Sequence, residues 1–108
     1  MLQNACTLKY LLDCLIASSR GGVTRAKIIE ALKEKAQNTN QLTVLLGLSY
    51  KTISYHLEIL KRYRLVISVD NAHVGCYCLS RNLENNYDLF ENLLMQMYKG
   101  RISCQQVW

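Results

Sequence analysis

At 108 residues, half of them apolar, the chain can build one globular domain with one core but not two comfortable ones. Lys9, Asp13 and Arg20 interrupt the leucine-rich start, so no apolar run reaches the roughly 18 residues needed to span a bilayer. No cationic segment leads into an uninterrupted apolar one, as a secretory signal requires, and a cytoplasmic, non-membrane location is expected. The net charge of +5 is unevenly placed, with nine basic residues and three acids between Arg20 and Arg64. That placement favours a polyanion, whose condensed counterions are released on binding; the bland alternative is a solvated basic surface.

In chain order, Leu8, Leu11, Leu12, Leu15 and Ile16 follow the helical period and predict an amphipathic helix from Leu2 to Ser18. Its stripe either forms a subunit interface or packs on its own domain. Thr24 is placed to cap a second helix running to about Ala36, with Ile28, Ile29 and Leu32 facing inward, and Asn38 or Thr39 caps the next. Leu42, Leu45 and Leu46 then give a short helix one apolar face, and Gly47 breaks it. Ser49 stands at an N-cap position, with an oxygen able to take the amide hydrogen of Lys51 or Thr52. Ile53, Leu57 and Leu60 form the inner stripe of the helix that follows, while Lys51, Ser54, Tyr55, Glu58 and Arg62 lie opposite. Two helices joined through a glycine turn, the second presenting polar residues near its start, predict a helix-turn-helix with its recognition helix over about 49–63.

Leu65 to Val69 and Cys76 to Ser80 alternate, with six residues from Asp70 to Gly75 between them, and predict a β-hairpin. A hairpin directly after a recognition helix is a wing, here over about 65–80. From Leu83 the positions Leu83, Tyr87, Phe90, Leu94 and Met97 alternate spacings of four and three, as in a heptad seam; pairing with a second copy and packing on the core are both open. Gly100 is read as the end of that helix, with no element assigned to Ile102–Trp108. The fold class is thus mainly α with a small β-hairpin, a single winged helix-turn-helix domain over 1–108. It divides into an N-terminal dimerisation helix (1–19), a winged-helix core (21–82) and a C-terminal helix and tail (83–108).

The segments TRAKIIEAL, NQLTVLLGLSYKTISYHLEILKRYRLV and VGCYCLS resemble the winged helix-turn-helix regulators of the ArsR-like group, especially small archaeal-type members. The resemblance covers Gly21 to Leu83. It implies a winged-helix fold, a homodimer built from the terminal helices and sequence-specific binding of double-stranded DNA in transcription regulation. Two residues depart from the family pattern: Thr43 stands where a small alanine is usual, and Arg64 where a glycine is usual between recognition helix and wing. A left-handed backbone there costs a non-glycine residue roughly 1–2 kcal/mol. The family's metal sensors carry a cysteine pair leading into the recognition helix or acid and histidine ligands on the last helix. Residues 41–55 contain no Cys and 83–108 no His, which argues against sensing through those sites.

The candidate DNA-binding residues are Ser49, Tyr50, Lys51, Thr52, Ser54, Tyr55 and Arg62 on the recognition helix, with Asn71 and His73 on the wing tip. Lys51 suits a phosphate or guanine, and Tyr50, Ser54 and Tyr55 suit base edges or thymine methyls. His56 flanks the apolar stripe and reads as a packing or phosphate-bonding residue. Cys76 and Cys78 point to one side of a strand, about 6.5–7 Å apart at Cα, at or beyond the reach of a mutual disulfide. With His73 they offer three soft ligands, and a closed zinc site needs a fourth from Cys6, Cys14, Cys104 or another subunit; burial as small hydrophobes is the alternative. Cys14 and Cys104 are the candidates for a bond between subunits. No metal is assigned, and no cofactor or small-molecule substrate is evident. Two rivals to DNA binding are a winged-helix protein interaction module and a thiol-based redox or metal sensor using Cys76 and Cys78. No constellation of catalytic groups supports an enzyme.

Overall fold

The computed structural model describes residues 5–70 and 75–107, with side chains over 7–69 and 75–99. Leu8, Leu12 and Ile16 are buried to 1% exposure or less, but they do not share one α-helix. Helix α1 (Ala5–Leu12) opens into a π turn over Asp13–Ala17, closed by the Ser18 amide donating to the Asp13 carbonyl at 2.9 Å. Four residues span nearly a full turn of the wider helix, so Ile16 stays beneath Leu12 on the buried face. The expected single helix over Leu2–Ser18 is corrected accordingly, and its first three residues lie outside the described residues.

Helix α2 (Gly22–Glu34) starts earlier than the expected Thr24 cap, with Gly21 at its N-cap. The reason is the close approach of the two glycines to what precedes them. The Gly22 amide donates to the Ser19 carbonyl at 3.0 Å, and a Cβ on Gly22 would stand 1.8 Å from the Ile16 carbonyl oxygen. Only glycine lets the chain double back this tightly. Thr24 is left half-buried inside the first turn, while Ile28, Ile29 and Leu32 face the core as expected.

Helix α3 (Thr39–Leu46) opens on a capping box, in which Asn38 accepts from the Gln41 amide and Gln41 from that of Asn38, at 2.8 Å each. Leu42 is fully buried and Leu46 partly so, but Leu45 is 58% exposed and Val44 85%, a correction to the expected inward Leu45. In a helix of two turns Leu42 and Leu46 take the inner face, and Leu45, about 100° around from Leu46, is left largely in solvent. Gly47 adopts φ 67°, and the Gly47 and Leu48 amides both donate to the Thr43 carbonyl, at 2.9 and 3.3 Å. This left-handed cap turns the chain into helix α4 (Tyr50–Arg62).

Helix α4 ends in a Schellman motif, with the Leu65 amide donating to the Leu60 carbonyl at 2.9 Å and the Arg64 amide to that of Lys61 at 3.0 Å. The left-handed residue in it is Arg64, at φ 63°, where glycine would be free of strain. Strands β1 (Val66–Asp70) and β2 (Gly75–Leu79) pair antiparallel. Their register runs from Val66 opposite Leu79 to Asp70 opposite Gly75, so the connection is 71–74 rather than six residues. Beyond the hairpin, the Tyr77 amide and carbonyl pair with those of Gln37 at 2.8 and 3.1 Å, and the Gln37 side chain donates to the Ala31 carbonyl at 2.9 Å. The wing is thereby fixed to the α2–α3 connection.

Ser80 caps the short helix α5 (Arg81–Asn85), and helix α6 follows over Tyr87–Val107. The expected stop at Gly100 does not occur. A single helical glycine costs only about 1 kcal/mol relative to alanine, and no capping residue follows it, so the helix continues through the segment to which no element was assigned. The heptad positions divide: Leu83 and Phe90 are fully buried in the core, while Tyr87, Leu94 and Met97 are partly covered. Lys33 on α2 joins this region, 4.9 Å above the Tyr87 ring and 4.0 Å from the Glu84 carboxylate. Among the described residues no helix is long and apolar enough to cross a membrane.

Candidate nucleic-acid interface

Helix α4 has two chemically distinct faces because its apolar residues recur at helical spacing. Ile53, Leu57 and Leu60 are at most 1% exposed and seat it on the core. On the other side Tyr50 and Tyr55 are 59% and 62% exposed, and Lys51, Glu58, Lys61 and Arg62 are also exposed. Ser54 is half-buried between the faces. One turn of helix thus brings a cation, a hydroxyl and two phenols to solvent together, groups suited to phosphates, base edges and thymine methyls.

Ser49 and Thr52 are occupied with each other at the helix start. The Ser49 hydroxyl oxygen accepts from the Thr52 amide at 3.1 Å and donates to the Thr52 hydroxyl at 2.9 Å. Their first role is to fix where the helix begins, and so where Tyr50 and Lys51 point.

The inner anchor of α4 includes a buried polar cluster centred on Arg25, whose role composition and spacing did not reveal. Arg25 lies on α2 at 4% exposure and His56 on α4 at 7%. The Arg25 guanidinium donates from Nε to the Leu15 carbonyl at 2.9 Å, from Nη1 to His56 Nδ1 at 3.0 Å and from Nη2 to the Ser19 hydroxyl. One side chain therefore ties the π turn, the α1–α2 connection and the recognition helix together. Burial, and then the neighbouring Arg25 charge, hold the His56 pKa below its ordinary value. The ring is neutral with Nδ1 accepting, and the Tyr55 ring stands edge-on to it with centroids 5.1 Å apart. His56 is thus a packing residue with a fixed tautomer. The signal for Arg25 was its place on the Ile28, Ile29, Leu32 side of α2, a charged residue on an inward face.

On the wing, Asn71 and His73 lie outside the described residues. Cys76 and Cys78 are half-buried, on the strand face opposite Val66 and Leu79, which are buried. They are therefore not core residues, because the core takes the other face of the hairpin. Burial and then the Glu84 carboxylate push the Cys78 thiol pKa up, away from the thiolate that metal binding and redox sensing use. Cys14 is exposed and carries a free thiol, and Cys104 lies beyond the described side chains. Among the described residues no three His, Cys, Asp or Glu side chains gather to hold a metal ion.

Residues 22–68 match the family described as "Bacterial regulatory protein, arsR family". Solved structures share the fold. The transcriptional regulator HlyU from Vibrio vulnificus CMCP6 is 24% identical, with a TM-score of 0.61, over 82% of this chain and 90% of that one. An ArsR-like transcriptional regulator from Rhodococcus sp. RHA1 is 20% identical, with a TM-score of 0.60, over 98% and 95%. The homodimeric winged helix-turn-helix DNA-binding domain of a possible ArsR-family regulator from Mycobacterium bovis is 14% identical, with a TM-score of 0.56, over 96% and 89%. No curated relative matches the sequence.

Proposed function

We propose, from the match of residues 22–68 to the arsR family of regulatory proteins, that this winged helix-turn-helix chain binds double-stranded DNA sequence-specifically as a homodimeric transcriptional regulator. The observation that carries the reading is the face of α4 that displays Tyr50, Lys51 and Tyr55, with both tyrosines more than half exposed. The opposite face is held by apolar packing and by the Arg25–His56 hydrogen bond. A helix so anchored and capped presents its N-terminal half as a rigid reader for the major groove. Tyr50, Lys51, Ser54 and Tyr55 take base edges and nearby phosphates, and Arg62 a backbone phosphate farther along. Ser49 and Thr52 set the helix start and can lend their remaining hydrogen-bonding capacity to the backbone. Asn71 and His73, at the wing tip, serve the flanking backbone or minor groove.

Two copies bring two such helices to half-sites about one helical turn, or a multiple of it, apart. The M. bovis neighbour is described as a homodimer, and the exposed Met95 and Tyr98 on α6 offer a surface for the same assembly here. Replacing Lys51 and Tyr55 together by alanine, K51A/Y55A, removes a cation and a phenol that are exposed. Binding to a palindromic fragment selected from random DNA is expected to weaken at least about tenfold, the loss of one to two good contacts, with the thermal midpoint nearly unchanged. Equal affinity in a gel-shift titration would count against the recognition-helix assignment.

A further inference from the structure

We propose that the cleft between the α1–α2 connection and the second half of α4 is a phosphate-binding site, filled by a free phosphate-bearing ligand or by a backbone phosphate of DNA. The cleft has a volume of about 550 Å³ and is lined by Arg20, Arg25, His56, Arg62, Tyr55 and Tyr63 among others, with no Asp or Glu. That volume lies in the range of small-ligand sites. Three guanidiniums converge here from the α1–α2 connection, α2 and the end of α4.

Arg25 supplies the second reason. It is 4% exposed, yet its hydrogen bonds go to a carbonyl, an imidazole and a hydroxyl, all neutral. Among the described residues no acid forms an ion pair with it. A buried charge without a counter-charge is costly, and natural structures pair such groups. Burial presses the Arg25 pKa below its ordinary value, against an opposing effect of Tyr55. Of the five N–H groups on a guanidinium, three are committed here. The planar fork suits the bidentate geometry of phosphate oxygens. Arg20 and Arg62, both exposed, also line the cleft. Because Arg25 also holds His56, an anion at this position bridges the α1–α2 connection to the helix assigned to DNA. Occupancy would therefore alter how firmly that helix is oriented. The anion site stands on the cleft, and only its consequence for DNA rests on the function proposed above.

The test uses the full chain and inorganic phosphate, with chloride at matched ionic strength as the control. At about ten times the dissociation constant, phosphate is expected to raise the wild-type thermal midpoint by about 4 °C or more over chloride. The variant R20E, which reverses an exposed charge at the cleft, should lose most of that rise. A second arm measures affinity for the selected DNA fragment in chloride. If a free ligand is the natural occupant, R20E binds DNA there as the wild type does, and phosphate changes only the wild-type affinity. If the DNA backbone fills the cleft, R20E weakens binding at least about tenfold and lowers the salt slope by about one. Either pattern supports the site. A phosphate rise of equal size in R20E overturns it, as does the absence of any rise together with an unchanged salt slope. Failure of the wild type to bind any fragment refutes the DNA reading and leaves the midpoint comparison to decide the anion site.

Discussion

Arg25 and His56 show how a pair of side chains can set the orientation of a whole helix. Their contact at 3.0 Å needs a lone pair on His56 Nδ1, and protonating that nitrogen would set two cations face to face in a cluster lined by Arg20 and Arg62 and by the phenols of Tyr55 and Tyr63. The folded-state pKa of His56 is lowered from 6.5, so near and below that value the unfolded chain binds the proton more readily than the native one. Stability from this group is complete above about pH 6.5 and declines as pH falls below it, since the species that takes up more protons gains on acidification. Thermal melts from pH 7.5 to 5 should show that decline. H56N, whose amide oxygen replaces Nδ1 as an acceptor and does not titrate, should flatten it; parallel curves for the two proteins would show that His56 does not govern the slope.

At the scale of single elements, helix ends decide the geometry of the reader. The left-handed Gly47 and the Ser49 cap shape the turn between α3 and α4, and the capping box of Asn38 and Gln41 fixes where α3 begins. The other end of α4 carries a cost. Arg64 holds φ 63° in a Schellman motif just before β1, and its neighbour Leu65 is fully buried, so the backbone cannot relax. R64G should relieve a left-handed strain of roughly 1–2 kcal/mol, offset by the greater freedom of an unfolded glycine. A net stabilisation of about 0.5–1 kcal/mol is expected in urea titrations. A destabilised R64G would mean that the arginine side chain contributes more than its backbone costs.

At the scale of the whole molecule, acidic side chains gather about one aromatic ring between the helices. Burial, and then the nearby Glu30, Glu91, Glu34 and Glu84 carboxylates, push the Tyr87 pKa up to about 12, so acids collect where α2 meets α5 and α6. Cations are spread more widely: Lys33 stands 4.9 Å above the same ring, while Lys51, Lys61 and Arg62 are exposed on α4. A groove of about 490 Å³ between α2 and α6 continues this region, lined by Val23, Leu94, Met95, Met97 and Tyr98 together with Lys27, Glu30 and Glu91. Of these, Met95 and Tyr98 are 58% and 65% exposed, an arrangement that a second copy of the chain would cover. Truncation of the C-terminal helices is a poor probe of that dimer, because it would remove Leu83, Phe90 and Leu93 from the core. The point variant M95E/Y98E leaves the core intact and places two like charges on the groove. It is expected to scatter light as a monomer with native circular dichroism; a persistent dimer would move the interface to α1.

The sequence by itself determined the helix-turn-helix followed by a hairpin, the inward residues of α2 and α4, the cap at Ser49, the choice of Asn38 or Thr39 for the cap before it, and the exposed Tyr50, Lys51 and Tyr55. These follow from local rules, since periodicity and capping act within a few residues. What only the tertiary structure decided depends on close approach between distant segments. The π turn under Leu12, the helix start at Gly21, the pairing of Gln37 with Tyr77, and the burial of Arg25 against His56 each need a neighbour that no short window of sequence contains. The same holds for Leu45, whose apolar side chain is left largely in solvent. It holds as well for Gly100, where the weak local preference to stop did not end the helix.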